Sequence, residues 1–199
     1  MKKIIYLTFS LLLLSCTSSK IEKRVLNSFI SEKFSNTQDI SVLVKQPINR
    51  TLPLYFYEKA YQDKDIRLGE KIRIRANSNP PFEWPVSIIE IEKLKEKYTN
   101  NTVNQLWKKK DFERLKFDLA DKKNINIQGT ALFAKHFGNK LLEISRPIIT
   151  TNNKYAFLFF KTFNIGIYFG HTTQGAVLMK NVNGDWKTME TYSEFDIIY

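Results

Sequence analysis

The chain has 199 residues, 43% hydrophobic and 26% charged, with a formal net charge of +11 and one cysteine. That apolar share supports a folded core and is too high for an intrinsically disordered chain, and a lone thiol excludes an intrachain disulfide or a multi-cysteine metal site. The basic balance admits nucleic acid, anionic lipid or acidic polymer as partners, although Lys outnumbers Arg 24 to 7 beside 16 Asn and 21 Ile, a bias that an AT-rich coding sequence produces by itself.

The first element reads as an export signal. Met1-Lys2-Lys3 precede an apolar run of 11 residues, Ile4 to Leu14, where a spanning helix needs about 20. Leu13-Leu14-Ser15-Cys16 then resembles a bacterial lipobox. The resemblance implies that residues 1–15 are cleaved and that Cys16 is acylated as the first mature residue. At about 0.8 kcal/mol per buried CH₂, one chain holds marginally and two hold stably, so a lipid-anchored protein is expected. With Cys16 acylated, no free thiol remains for catalysis or metal binding. Removing residues 1–15 leaves 29 basic and 20 acidic residues, a net +9, and export argues against nucleic acid as the partner. Residues 16–20 read as the lipidated cysteine and a short tether, Thr17-Ser18-Ser19-Lys20, reaching roughly 14 Å. Residues 21–199 read as one globular domain. Thr17 is not the Asp that resembles an inner-membrane retention signal, and Ser18-Ser19-Lys20 lacks the acidic run that resembles a surface-export signal. The expected address is the outer membrane, facing the periplasm.

Ile21, Val25, Leu26, Phe29, Ile30 and Phe34 recur at helical spacing, which predicts a helix over 21–34. Two short strands are expected at Ile40–Lys45 and Leu52–Tyr57 around a proline-containing loop. From Ile66 to Arg75 apolar and basic residues alternate, as on a half-buried strand, with a turn or bulge near Gly69-Glu70. Asn77–Pro85 holds three prolines and reads as a loop. Ser87 then caps a helix to about Tyr98. A helical piece is expected over Val103–Leu115, and residues 120–128 read as loop. From Leu141 the pattern turns to β. Tyr155–Phe163 is apolar on both faces, the mark of a central strand covered on both sides. Ala176–Lys180 and Trp186–Thr191 flank Asn183-Gly184, the strongest short hairpin signal, and Phe195–Tyr199 suits an edge strand. The sum is an α+β fold, N-terminal helices packed on a mainly antiparallel sheet with a C-terminal β-meander.

Over roughly the last 55 residues, Ile144-Ser145-Arg146-Pro147-Ile148-Ile149, Asn153-Lys154-Tyr155-Ala156-Phe157, the glycine-punctuated stretch Gly166–Gly175 and Lys180-Asn181-Val182-Asn183-Gly184-Asp185-Trp186-Lys187 resemble uncharacterised lipoproteins of Bacteroidota. Such lipoproteins often carry cysteines in the glycine stretch, where this chain has Ile167, Phe169 and His171. The resemblance implies an envelope location and a fold, and no activity.

Two surfaces emerge as candidate sites. Arg67, Lys71, Arg73 and Arg75 form a cationic row, with same-face strand neighbours about 6.6 Å apart and arginine forks suited to phosphate or carboxylate. An anionic lipid or an acidic glycan would fit it. A solvated strand face that discourages edge pairing explains the same charges. Phe82 and Trp84 flank Glu83 in the proline loop, either as a sugar-stacking platform or as plugs over the core. His136 and His171 lie 35 residues apart with no metal-ligand spacing, and no nucleophile elbow, phosphate loop or dinucleotide fingerprint occurs. No catalytic residue, metal ligand or cofactor is assigned. The expectation is an envelope lipoprotein that binds or organises an anionic component. The alternatives are a periplasmic hydrolase of glycan or peptidoglycan using paired carboxylates, and an accessory subunit of an envelope complex with a broad apolar patch.

Overall fold

A strand apolar on both faces needs cover on both sides, and Tyr155–Asn164 (β6) receives it. The computed structural model, which describes residues 19–34, 40–65, 74–77, 83–99, 105–113, 117–127, 140–164 and 173–194, sets β6 inside an eight-stranded sheet. Before it come helix α1 (19–33), β1 (Val42–Val44), α2 (Leu52–Gln62), β2 (Ile74–Ala76) and α3 (Ile88–Thr99). A 3₁₀ turn (Lys109–Asp111), β3 (Asp118–Ala120), α4 (Lys122–Ile127), β4 (Lys140–Ile144) and β5 (Ile148–Ile149) follow. After β6 come β7 (Thr173–Val182) and β8 (Asp185–Glu194). The strand order is β2-β8-β7-β6-β4-β1-β3, with β5 also on β6. Pairing is antiparallel except where β1 meets β3 and β4. The fold is therefore α+β, mainly antiparallel, and closes on the meander β6-β7-β8.

Alternation along β6 divides the core in two. Ala156, Leu158 and Phe160 meet α1 through Val25, Leu26 and Phe29, joined by Trp107, Phe112 and Phe117. Phe157 and Phe159 point the other way, into Leu54, Phe56 and Tyr57 of α2 and Ile91 and Leu94 of α3. Helices thus cover both faces of the sheet. Each fully buried Leu or Phe of these layers contributes about 1.5–3 kcal/mol.

The β7–β8 hairpin turns at Asn183 and Gly184, with φ of 55° and 98°, the left-handed pair that suits an Asn-Gly turn. Leu178 pairs with Glu190 but Met179 pairs with Thr188, so Met189 is an extra residue. That bulge reverses the facing of the strand. Trp186 enters the core on the α1 side, whereas Tyr192, an even number of residues on, enters the core on the α2 side.

Three sequence expectations need correction. Leu52–Tyr57 is not a strand but the first half of α2. Pro53 in the first turn is a helix-start signal, and Ala60 and Tyr61 continue a helical stripe with Pro53, Leu54 and Tyr57. Residues 105–113 form one 3₁₀ turn in an otherwise extended segment, not a helix. Their aromatic residues are fixed by tertiary bonds instead, Trp107 N–H donating to the Lys45 carbonyl at 2.8 Å and its indole Nε1 to the Ile144 carbonyl at 3.2 Å. The stretch 120–128 contains the end of β3 and helix α4 rather than loop alone. The cap at Ser87 is present, its Oγ accepting from Glu90 N–H at 3.2 Å. The expected edge strand Phe195–Tyr199 lies outside the described residues.

Candidate functional site

A groove lined in part by Thr173 and Gln174 opens on the α1 side of the sheet, next to Gly175. This residue is the β7 partner of Phe160 in β6. A Cβ built on it would lie 2.9 Å from Thr191 Cγ2 and 3.0 Å from the Tyr192 carbonyl oxygen, so only glycine lets β7 and β8 pack here without a shift. The groove has a volume of about 220 Å³. Its walls are Lys33, Asn77, Thr173, Gln174, Ser193 and Glu194, with Phe160 and Thr191 below.

Each wall residue is placed by a different element. Lys33 occupies the last turn of α1, with its ammonium 5.4 Å from the Phe160 ring centroid. Glu32 beside it accepts from Thr188 N–H at 2.9 Å, which pins the end of α1 to β8. Asn77 follows β2, its N–H donating to the Thr191 carbonyl at 2.9 Å and to Glu190 Oε1 at 3.0 Å. Its side-chain oxygen accepts from Ser193 Oγ at 2.8 Å. Gln174 reaches Glu194 at 3.5 Å. The result is a hydroxyl- and amide-lined groove with one cation and one carboxylate.

The predicted site residues divide around this groove. Arg67, Lys71 and Arg73 lie outside the described residues, as do Cys16, Phe82, His136 and His171. Position 75 is in β2, opposite Ser193. Its neighbours Ile74 and Ala76 belong to the α2-side core. Trp84 is half-buried and packs its ring on Tyr57, Tyr61 and Tyr192 at centroid distances of 5.3, 5.2 and 6.0 Å. Most of that ring is committed to the α2-side core.

A second polar cluster lies at the start of α1. Arg146 stacks 4.4 Å from the Trp107 ring and stands 4.0 Å from both Glu22 and Asp111. Burial lowers the pKa of its guanidinium, and the two carboxylates oppose that shift. Arg50 lies 4.3 Å over the Tyr98 ring, pairs with Glu22 and donates to the Pro147 carbonyl. Two cations meet two carboxylates here, so the cluster is internally neutralised and latches α1 to the sheet. Neither Lys33 nor the Ser193–Asn77 pair carries any motif in the sequence.

Among the described residues, no group of three or more His, Cys, Asp or Glu side chains is placed to hold a metal. No described helix is long and apolar enough to cross a membrane. Glu194 is the one carboxylate among the described residues lining the groove, whereas a glycosidase site uses two, about 5–9.5 Å apart. The large exposed apolar residues Tyr55, Ile89, Leu106 and Val182 are spread over α2, α3, the 105–108 segment and β7. No protein-family model, curated protein or solved structure matches the chain.

Proposed function

We propose that this protein is a cell-envelope lipoprotein, anchored through Cys16, that binds an acidic glycan with the groove between Lys33 and Ser193. The observation that carries this reading is the pairing of a hydroxyl- and amide-lined groove with the Lys33 ammonium at its rim. Hydroxyl and amide side chains suit a hydroxyl-rich ligand, and a cation beside them suits its carboxylate or phosphate. At about 220 Å³ the groove is smaller than the roughly 300–1,000 Å³ of a drug-sized site. It suits one unit of a polymer rather than a whole small molecule. A hydrolase is less well supported, because the described groove offers a single carboxylate.

Two measurements test the reading. Metabolic labelling with palmitate should mark the wild-type protein and leave Cys16→Ala unlabelled, and an unlabelled wild type would remove the anchor. Isothermal titration with oligogalacturonate should show binding that Lys33→Glu weakens at least about tenfold, the loss of one charge-assisted hydrogen bond. Ser193→Ala, which removes one of the lining hydroxyls, should weaken it as well. Binding unchanged in both variants would displace the ligand from the groove.

A further inference from the structure

On the lipid-anchor reading Cys16 fixes one point of the molecule to a bilayer, and the described chain begins three residues later. Ser19 is already helical. Only residues 17 and 18 therefore separate Cys16 from α1, in place of the four-residue tether expected. Three residue steps span roughly 10 Å when extended, about one Debye length at physiological ionic strength. Whatever charge flanks the first turns of α1 lies within electrostatic reach of the headgroups.

That charge is positive. Lys20 and Arg24 are exposed on α1, and Lys108, Lys109 and Lys110 are exposed on the 3₁₀ turn and its approach. The turn is held against α1 by several contacts. Asn27 donates to the Asp111 carbonyl at 3.3 Å and accepts from Glu113 N–H at 2.9 Å. Ser19, Glu22, Lys23, Asp111 and Arg146 line one small cavity between the two segments. Asp111 Oδ2 also accepts from Lys108 N–H at 2.9 Å, which fixes the shape of the turn. The neighbouring acids Glu22 and Asp111 face Arg50 and Arg146, which leaves Glu113 as the exposed acid of the segment. Just before the lysines, Leu106 is 43% exposed, while Trp107 next to it is buried and anchored. A rigid turn thus presents one apolar side chain beside three lysines.

We infer that Leu106, Lys108, Lys109 and Lys110, with Lys20 and Arg24, form a docking surface for the anionic lipid bilayer that holds Cys16. This inference rests on the lipid-anchor reading. A basic residue at an anionic membrane surface contributes about fivefold to binding, so the three turn lysines together shift the docked equilibrium by roughly 100-fold. Docking sets the orientation of an already anchored protein.

The test uses the full lipidated protein, in which acylation of Cys16 leaves an introduced thiol as the only one. A fluorophore on Leu106→Cys is compared with one on Tyr55→Cys, an exposed position on the opposite face of the sheet. Both proteins are reconstituted in phosphatidylcholine vesicles with and without phosphatidylglycerol, and bromine-labelled lipid is the quencher. Expected is quenching at 106 and not at 55, in the anionic vesicles only, abolished by high salt and by Lys108→Glu/Lys109→Glu/Lys110→Glu. The docking surface is overturned if 106 stays unquenched while the protein floats with the vesicles, or if neutral vesicles, position 55 or the charge-reversed protein give the same quenching. Failure of the wild-type protein to float with vesicles would overturn the anchor itself, and the docking surface with it.

Discussion

The Tyr57 hydroxyl serves a single residue twice, donating to the Val86 carbonyl at 2.8 Å and accepting from its N–H at 3.2 Å. Both residues are buried, and burial raises the phenol pKa, which keeps it a neutral donor. Tyr57→Phe would strand two backbone groups away from water. It should lower stability by about 1–3 kcal/mol, read as a shift of the urea midpoint at constant slope; a wild-type midpoint would show that Val86 finds other partners. Asp121 offers a pH test. Its carboxylate accepts from Gln46 Nε2 at 2.7 Å and from Lys123 N–H at 3.4 Å, and these bonds, Gln46 first, hold it below the ordinary carboxylate range. A depressed folded pKa stabilises fully above the unfolded value near 4 and is lost as pH falls through the folded value. The stability gap between wild type and Asp121→Asn should therefore be largest near neutrality and close below about pH 4. Urea unfolding across that range measures it, and a gap that persists in acid counts against the assignment.

At the scale of elements, the bulge at Met189 decides which aromatic enters which core. Deleting Met189 would restore strict alternation and force Trp186 or Tyr192 onto the wrong face. The deletion should cost more than about 4 kcal/mol, the range of a disrupted core, whereas Met189→Ala keeps the register and should cost about 1–2 kcal/mol. Thermal melts of the two proteins separate the cases, and equal melting points would show that register is set elsewhere. The bulge was not visible in the sequence, because Trp186 and Tyr192 share parity and their burial on opposite faces contradicts simple alternation. α1 and α3 were legible, since Val25, Leu26 and Phe29, or Ile91 and Leu94, repeat at helical spacing. α2 was misread because its first half carries three successive β-favouring aromatics, Tyr55, Phe56 and Tyr57, and the decisive residues Ala60 and Tyr61 lie beyond the window that looked like a strand.

For the whole molecule, the α+β class and the meander were legible because β6, β7 and β8 are long and joined in one case by Asn183-Gly184. The parallel partners of β1 were not, since pairing Val42 with Asp118 and Leu141 joins segments far apart in the chain with no local signature. The groove was equally hidden, because Lys33, Asn77, Gln174 and Ser193 meet only after four elements have assembled. α1 also has a metric consequence. It runs from Ser19 to Lys33 at the groove rim, and 14 steps of about 1.5 Å make roughly 21 Å of rigid rod. With the roughly 10 Å of chain between Cys16 and Ser19, the groove can stand no more than about 30 Å from Cys16. On the proposed anchor, this helix is a gauge: any polymer the groove holds must be one that passes within about 3 nm of the lipid surface.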